Sequence, residues 1–122
     1  MKQSLFYVFL ILLMTSCFDA PENIDMKMLH GEWSGAAWEI EGGDNRDASN
    51  VGFLFNVDST YTATAGSGGE TGIYRIDGDK LYTTAKGAAE KNVRILKVNT
   101  DSLIFEMNRV GTIETLILVK KQ

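Results

Sequence analysis

After His30 this chain consists of short β-forming segments punctuated by turn residues, and that pattern restricts its fold more than any other feature. Segments rich in Val, Ile, Thr, Tyr and Phe run approximately from Glu32 to Glu41, Val51 to Val57, Thr60 to Ala65, Gly69 to Ile76, Lys80 to Thr84, Asn92 to Val98, Ser102 to Met107 and Thr112 to Lys120. The links Asp58-Ser59, Asp77-Gly78-Asp79, Asn99-Thr100-Asp101 and Asn108 to Gly111 carry turn chemistry, with Gly78 and Gly111 suited to positive φ. Links this short make successive strands antiparallel neighbours, and no segment offers the helix that a parallel crossover requires. Eight such strands must hide two sheet edges, and closure into an antiparallel up-and-down barrel removes both. A two-sheet β-sandwich is the alternative architecture.

Alternation assigns the faces. Phe53, Phe55 and Val57 share one face of their segment and Leu103, Phe105 and Met107 share one face of theirs, so both sets are expected inward. The last segment, Ile113 to Val119, turns from alternating to continuously apolar, which suits a strand covered on both faces by the core inside and an N-terminal helix outside. Asn23 is placed to cap that short helix, from Ile24 to Leu29. The longest links are Gly42 to Asn50 and Ala85 to Lys91.

The first residues have a different character. Met1-Lys2-Gln3-Ser4 precedes an apolar run from Leu5 to Met14, which is too short for a membrane span of roughly twenty residues and matches the layout of an export signal. Ending in Met14-Thr15-Ser16-Cys17, the segment resembles a bacterial lipoprotein signal peptide. The resemblance implies cleavage after residue 16 and acylation of Cys17, with chains such as palmitate anchoring the mature protein more firmly than the two signals stable anchoring needs. An ordinary cleavage site beside a free Cys17 is the alternative. Residues 1–16 then form the signal, 17–23 a tether carrying Pro21, the chain's only proline, and 24–122 a single domain. Phe18 stands where inner-membrane retention in enterobacterial lipoproteins uses Asp, so the resemblance favours the outer membrane of the bacterial envelope.

Charge and motif content exclude several functions. The chain is acidic, with net charge −4, which opposes binding to nucleic acid or to anionic headgroups. His30 is the sole histidine and Cys17 the sole cysteine, too few ligands for a zinc site. His30 itself is expected to be a solvated residue at the end of the helix. The oxygen-rich stretch of Glu39, Glu41, Asp44, Asn45, Asp47 and Asn50 lacks EF-hand spacing and carries Arg46 in its middle, so it reads as a solvated loop without metal. Gly66-Ser67-Gly68-Gly69 lacks the Lys-Ser/Thr of a phosphate loop and reads as a hairpin tip. Glu39, Glu70 and Glu114 supply carboxylates without a pairing visible in sequence, so no catalytic residue and no cofactor is expected.

Leu29-His30-Gly31-Glu32-Trp33 places Gly-x-Trp after a short helix and at the start of an eight-stranded meander. With Phe53 to Tyr61 and Gly72 to Leu81, this order resembles the lipocalin-like superfamily, especially lipocalin-like lipoproteins of Bacteroidetes type, over roughly residues 28 to 120. The resemblance implies that Trp33 plugs the closed end of the barrel and that the Gly42 to Asn50 loop shades the mouth. It also implies an arginine near the last strand above that tryptophan, for which neither Arg109 nor Lys120 and Lys121 is an evident counterpart. Finally, it implies binding of a small apolar or amphipathic molecule. Trp38, Phe53, Phe55, Tyr61, Tyr74, Arg75 and Phe105 are the candidate ligand-contacting residues, each also suited to a packed core, with Tyr74 and Arg75 as orienting polar groups. A filled barrel serving as a protein-interaction or inhibitor module, with an envelope protein as partner, is the alternative function.

Overall fold

In the computed structural model, which describes residues 23–121, the first strand sets the plan of the barrel. The first half of β1 (Gly31–Ile40) pairs antiparallel with β2 (Val51–Phe55), from Gly31↔Phe55 to Ser34↔Gly52, and its register with β8 (Thr112–Lys120) runs from Trp33↔Lys120 to Ile40↔Glu114. Between them β3 (Thr60–Ala65), β4 (Gly68–Asp77), β5 (Lys80–Ala85), β6 (Glu90–Val98) and β7 (Ser102–Arg109) follow in chain order, each paired with its neighbours. The described residues thus close an eight-stranded antiparallel barrel. Every strand has two partners, so no edge is left for another chain to pair with.

Period two places one face of each strand in the interior. Trp33, Phe55, Tyr61, Tyr74, Leu81, Ile95, Leu103, Phe105, Leu116 and Leu118 form one buried cluster. In two strands the alternation breaks, and the breaks are productive. The register of β1 on β8 shifts between Gly35 and Ala37, so Trp33 and Trp38, five positions apart, both face inward. A similar shift between Ile95 and Lys97 brings Ile95 and Val98 to the same face of β6.

The loop from Glu41 to Asn50 is docked on the upper part of β1, above its pairing with β2. Arg46 N donates to Trp38 O at 2.9 Å, Trp38 and Arg46 form an isolated bridge, and Ala48 is buried against the core. The Ala48 carbonyl lies so close to Gly35 that any side chain there would collide with it. None of residues Gly42 to Asn50 lines the barrel cavity itself, and the loop reaches its wall through Arg46, whose guanidinium lies 5.1 Å from the centre of the Trp38 ring. The loop's backbone groups are drawn to the edge of β1, where they find hydrogen-bond partners.

Other sequence expectations change at the N-terminus and on two strand faces. The helix is a single 3₁₀ turn, Met26–Met28, capped by Asp25, whose side chain accepts from Lys27 N at 3.0 Å, and not by Asn23. It sits at the closed end, where Ile24 N donates to Gly78 O, and does not cover β8 from outside. The outer face of β8 carries Ile117 and Val119, partly exposed, so its apolar run is divided between core and surface. Val57 lies beyond the end of β2 in the hairpin turn and is 78% exposed, not inward. Cys17, the signal segment and the tether up to residue 22 lie outside the described residues.

Candidate functional site

The two ends of the barrel differ in how their inward residues are used. At the closed end Trp33 is fully buried, and its indole N–H donates to Leu29 O at 2.8 Å. Lys120 comes inward from the end of β8, with Nζ 4.5 Å from the centre of the Trp33 ring, and donates to His30 O at 2.7 Å. Lys120 therefore holds the cation position above the tryptophan that the sequence left without a counterpart. Gly31, at φ +122°, is required twice over, because a β-carbon there would also strike the Lys120 side chain. His30 is partly buried rather than solvated, and its Nε2 is enclosed without a partner among the described residues.

Above this floor the aromatic residues form a stack. The Phe55 ring packs 5.0 Å from Tyr74 edge-on and 5.6 Å from Phe53 nearly parallel, and Phe53 meets Phe105 at 5.6 Å edge-on. Beyond Phe53 the interior opens into a cavity of about 580 Å³. Its walls include Trp38, Phe53, Tyr61, Leu81, Phe105 and Leu116, and its rim includes Glu70, Lys91, Asn92, Asn108 and Arg109. Small residues make the room: Ala63, Ala65, Gly68 and Gly69 line the β3–β4 side.

Of the candidates from sequence, Trp38, Phe53, Tyr61 and Phe105 line this cavity together. Phe55 and Tyr74 do not; they are buried below it, and the Tyr74 hydroxyl is committed to Asn56 O at 2.9 Å. Burial raises the Tyr74 pKa, with the negative Asp58 adding to the effect. Arg75 is removed from the cavity set altogether, since it follows inward Tyr74 in β4 and so faces outward. There it lies 4.0 Å over the Tyr82 ring and pairs with Glu90 at 3.3 Å.

Sequence reasoning missed the polar rim. Two carboxylates stand at this end, Glu70 on the rim and Glu114 buried beside it, each between an aromatic donor and a cation. The Tyr61 hydroxyl donates to Glu70 Oε2 at 2.6 Å, and Lys91 Nζ lies 3.3 Å from the same carboxylate. The Trp38 indole N–H donates to Glu114 Oε1 at 2.8 Å, and Arg109 Nη1 stands 3.7 Å from that oxygen. Burial, with the Glu70 hydrogen bond next, pushes the Tyr61 pKa up to about 12. The Tyr61 hydrogen bond, aided by Lys91, holds Glu70 below the usual carboxylate range. A parity signal for these residues was present: counting by two from Tyr74, Ile95, Phe105 and Leu116 reaches Glu70, Lys91, Arg109 and Glu114.

Glu39 is exposed and faces away from Trp38's side of β1, so it takes no part with Glu70 and Glu114. In the loop, Asn45 Oδ1 accepts from Ile40 N and Asp47 Oδ1 accepts from Ser49 N, so these oxygens serve the loop's own backbone. Among the described residues no group of three or more His, Cys, Asp or Glu is arranged to hold a metal ion.

The closed meander has counterparts among solved structures. A lipocalin-like protein from Bacteroides uniformis superposes with a TM-score of 0.63 at 15% identity, over 77% of this chain and 99% of that one. The fold is lipocalin-like. An uncharacterized protein from Bacteroides eggerthii also superposes with a TM-score of 0.63, at 11% identity over 75% of this chain and 98% of its own. No family model matches the sequence, and no curated protein matches it. At these identities the likeness to the lipocalin-like protein concerns the fold, and the Trp33–Lys120 plug and the charged rim are described for this chain from its own geometry.

Proposed function

We propose that this chain is a lipid-anchored protein of the bacterial envelope that binds a small apolar or amphipathic molecule in its barrel without transforming it. The observation that carries the binding reading is the cavity of about 580 Å³, aromatic-walled and open at one end only of a lipocalin-like barrel. Its volume falls within the range of roughly 300–1,000 Å³ common to small-molecule sites. A filled barrel acting solely as an interaction module would lack this space. A non-catalytic role is supported by the engagement of both Glu70 and Glu114 with an aromatic donor and a cation, and by the position of His30 at the opposite end. The anchoring role rests on the sequence: the Met14-Thr15-Ser16-Cys17 segment behind a short apolar run.

Titration of the protein with fatty acids, haem and aromatic metabolites tests the binding reading through tryptophan fluorescence and melting temperature, since a ligand of the native state raises its stability. Ala63→Trp, which fills the cavity from β3, is expected to abolish the fluorescence change and the thermal shift seen with the parent protein. A parent protein unaffected by every compound, or an Ala63→Trp variant that binds as well, overturns the reading. Cys17→Ser is expected to move the protein from the membrane fraction to the soluble fraction, and continued sedimentation with membranes counts against the anchor.

A further inference from the structure

We propose that the molecule taken up is an anionic amphiphile, with its charged head on the β6–β7 side of the mouth and its apolar body against Phe53 and Phe105. This rests on the reading of the barrel as a small-molecule binder and specifies its ligand class. Lys91 and Asn92 lie near the start of β6 and Asn108 and Arg109 at the end of β7, and these adjacent strands bring two cations and two amides to one part of the cavity rim. All four residues supply hydrogen-bond donors, and the two cations supply nothing else.

Lys91 and Arg109 are balanced by Glu70 on the rim and by Glu114 buried beside it, so what decides the matter is which charges a ligand can reach. The Glu114 side chain is only 6% exposed and the Glu70 side chain 34%, and each is gripped from the cavity wall by an aromatic donor. Lys91 and Arg109 are 62% and 53% exposed. A cationic head would have to share Glu70 with Lys91 or Glu114 with Arg109, like charges that repel it. An anionic head meets the cations first and leaves the Tyr61–Glu70 and Trp38–Glu114 hydrogen bonds intact. Arg109 is also prepared for such a partner: its Nη1 rests 3.7 Å from Glu114, and its guanidinium donates no hydrogen bond to any described residue. The fork remains available to a carboxylate, sulfonate or phosphate oxygen pair. Glu70 and Glu114 thereby act as positioning residues for the two cations.

Dodecanoate, dodecanol and dodecylamine, used below their micelle concentrations, separate head from chain. Titrated into the protein and followed by tryptophan fluorescence and thermal shift, dodecanoate is expected to bind about tenfold more tightly than dodecanol, with dodecylamine weakest and the preference reduced by salt. Lys91→Gln and Arg109→Gln are each expected to weaken dodecanoate more than dodecanol and so bring the dodecanoate-to-dodecanol ratio to within roughly threefold. The ratio within one variant is insensitive to a general loss of stability, and either substitution suffices if the other prevents folding. Equal binding of all three compounds, or tighter binding of dodecylamine, overturns the anionic ligand class while leaving the binding reading in place. If none of the three binds but another apolar compound does, the ligand class alone also falls. If nothing binds, both readings fall.

Discussion

The two tryptophans of β1 are built from the same parts and serve different ends. Each indole N–H donates at 2.8 Å, Trp33 to a main-chain carbonyl and Trp38 to the Glu114 carboxylate. Each ring carries a cation over its face, Lys120 at 4.5 Å for Trp33 and Arg46 at 5.1 Å for Trp38. Trp33 is fully buried and its acceptor is backbone, so it is fixed by everything around it. Trp38 is partly exposed beside a cavity, and its acceptor is a side chain that also neighbours Arg109. The same arrangement is thus structural where the polar partner is backbone and adaptable where the partner is another titratable side chain.

The contrast can be broken most forcefully at the closed end. Trp33→Ala removes a fully buried ring from the floor and is expected to cost about 3–5 kcal/mol in urea denaturation. Trp38→Ala should cost clearly less and impair ligand binding instead, and equal losses of stability would erase the distinction between the two ends. Next in size comes the mouth: Arg109→Met strands the buried Glu114 carboxylate with a single neutral donor, an expected loss of about 1–3 kcal/mol. Glu114→Gln leaves an acceptor for Trp38 and a half-exposed Arg109 that water can solvate, so it should cost less than Arg109→Met. The reverse order in chemical denaturation would show that the rim is not organised around Glu114.

Lys120→Met deletes both the cation over Trp33 and the donor to His30 O, and about 1–2 kcal/mol of lost stability is expected, partly restored by Lys120→Arg. The Tyr61–Glu70 pair sharpens the comparison through pH. The native Tyr61 pKa, near 12, lies above its unfolded value, so stability falls as pH rises from 10 towards 12, by at most about 1.4 kcal/mol per pH unit. Glu70, held low in the native state, contributes stability that is present above its unfolded pKa and is lost as pH falls through its native one. Tyr61→Phe should flatten the alkaline slope and also weaken the acid one, and denaturation curves unchanged at both extremes would contradict the pairing. The smallest effect lies at the rim hairpin. Val110 is fully exposed at φ +52°, a conformation that β-branched residues resist, and Val110→Asn is expected to raise stability by about 1 kcal/mol in thermal melts.

Much of the barrel was legible because each strand announces itself locally. Thr60–Ala65 and Thr112–Lys120 begin and end at the expected residues, and the other six strands lie within two residues of expectation at each end. Gly78 and Gly111 adopt the positive φ that their turns require. The cavity was legible in part, because Trp38, Phe53, Tyr61 and Phe105 converge as expected. Arg75 was misplaced for a simple reason: it adjoins Tyr74, and neighbours on a strand face opposite ways. Lys120 could not be linked to Trp33 from composition, since the contact depends on closure between the first and last strands. The docking of the Glu41 to Asn50 loop was equally hidden, because it answers to backbone groups of β1 and not to side-chain pattern.

The register shift between Gly35 and Ala37 makes the mouth a matter of chain length as much as of residue type. Were Ala36, the extra residue of that shift, to join the ladder as a regular pair, everything beyond it would rotate by half a period. The ring of Trp38 would then turn to solvent, and Ala37 and Glu39 would face the interior in place of Trp38 and Ile40. Loss of the bulge with all residues kept would convert an aromatic wall into an acidic one without altering any side chain of the site, whereas deletion of Ala36 would restore plain alternation and leave Trp38 inward. The identity of what this barrel admits is therefore written partly in a count.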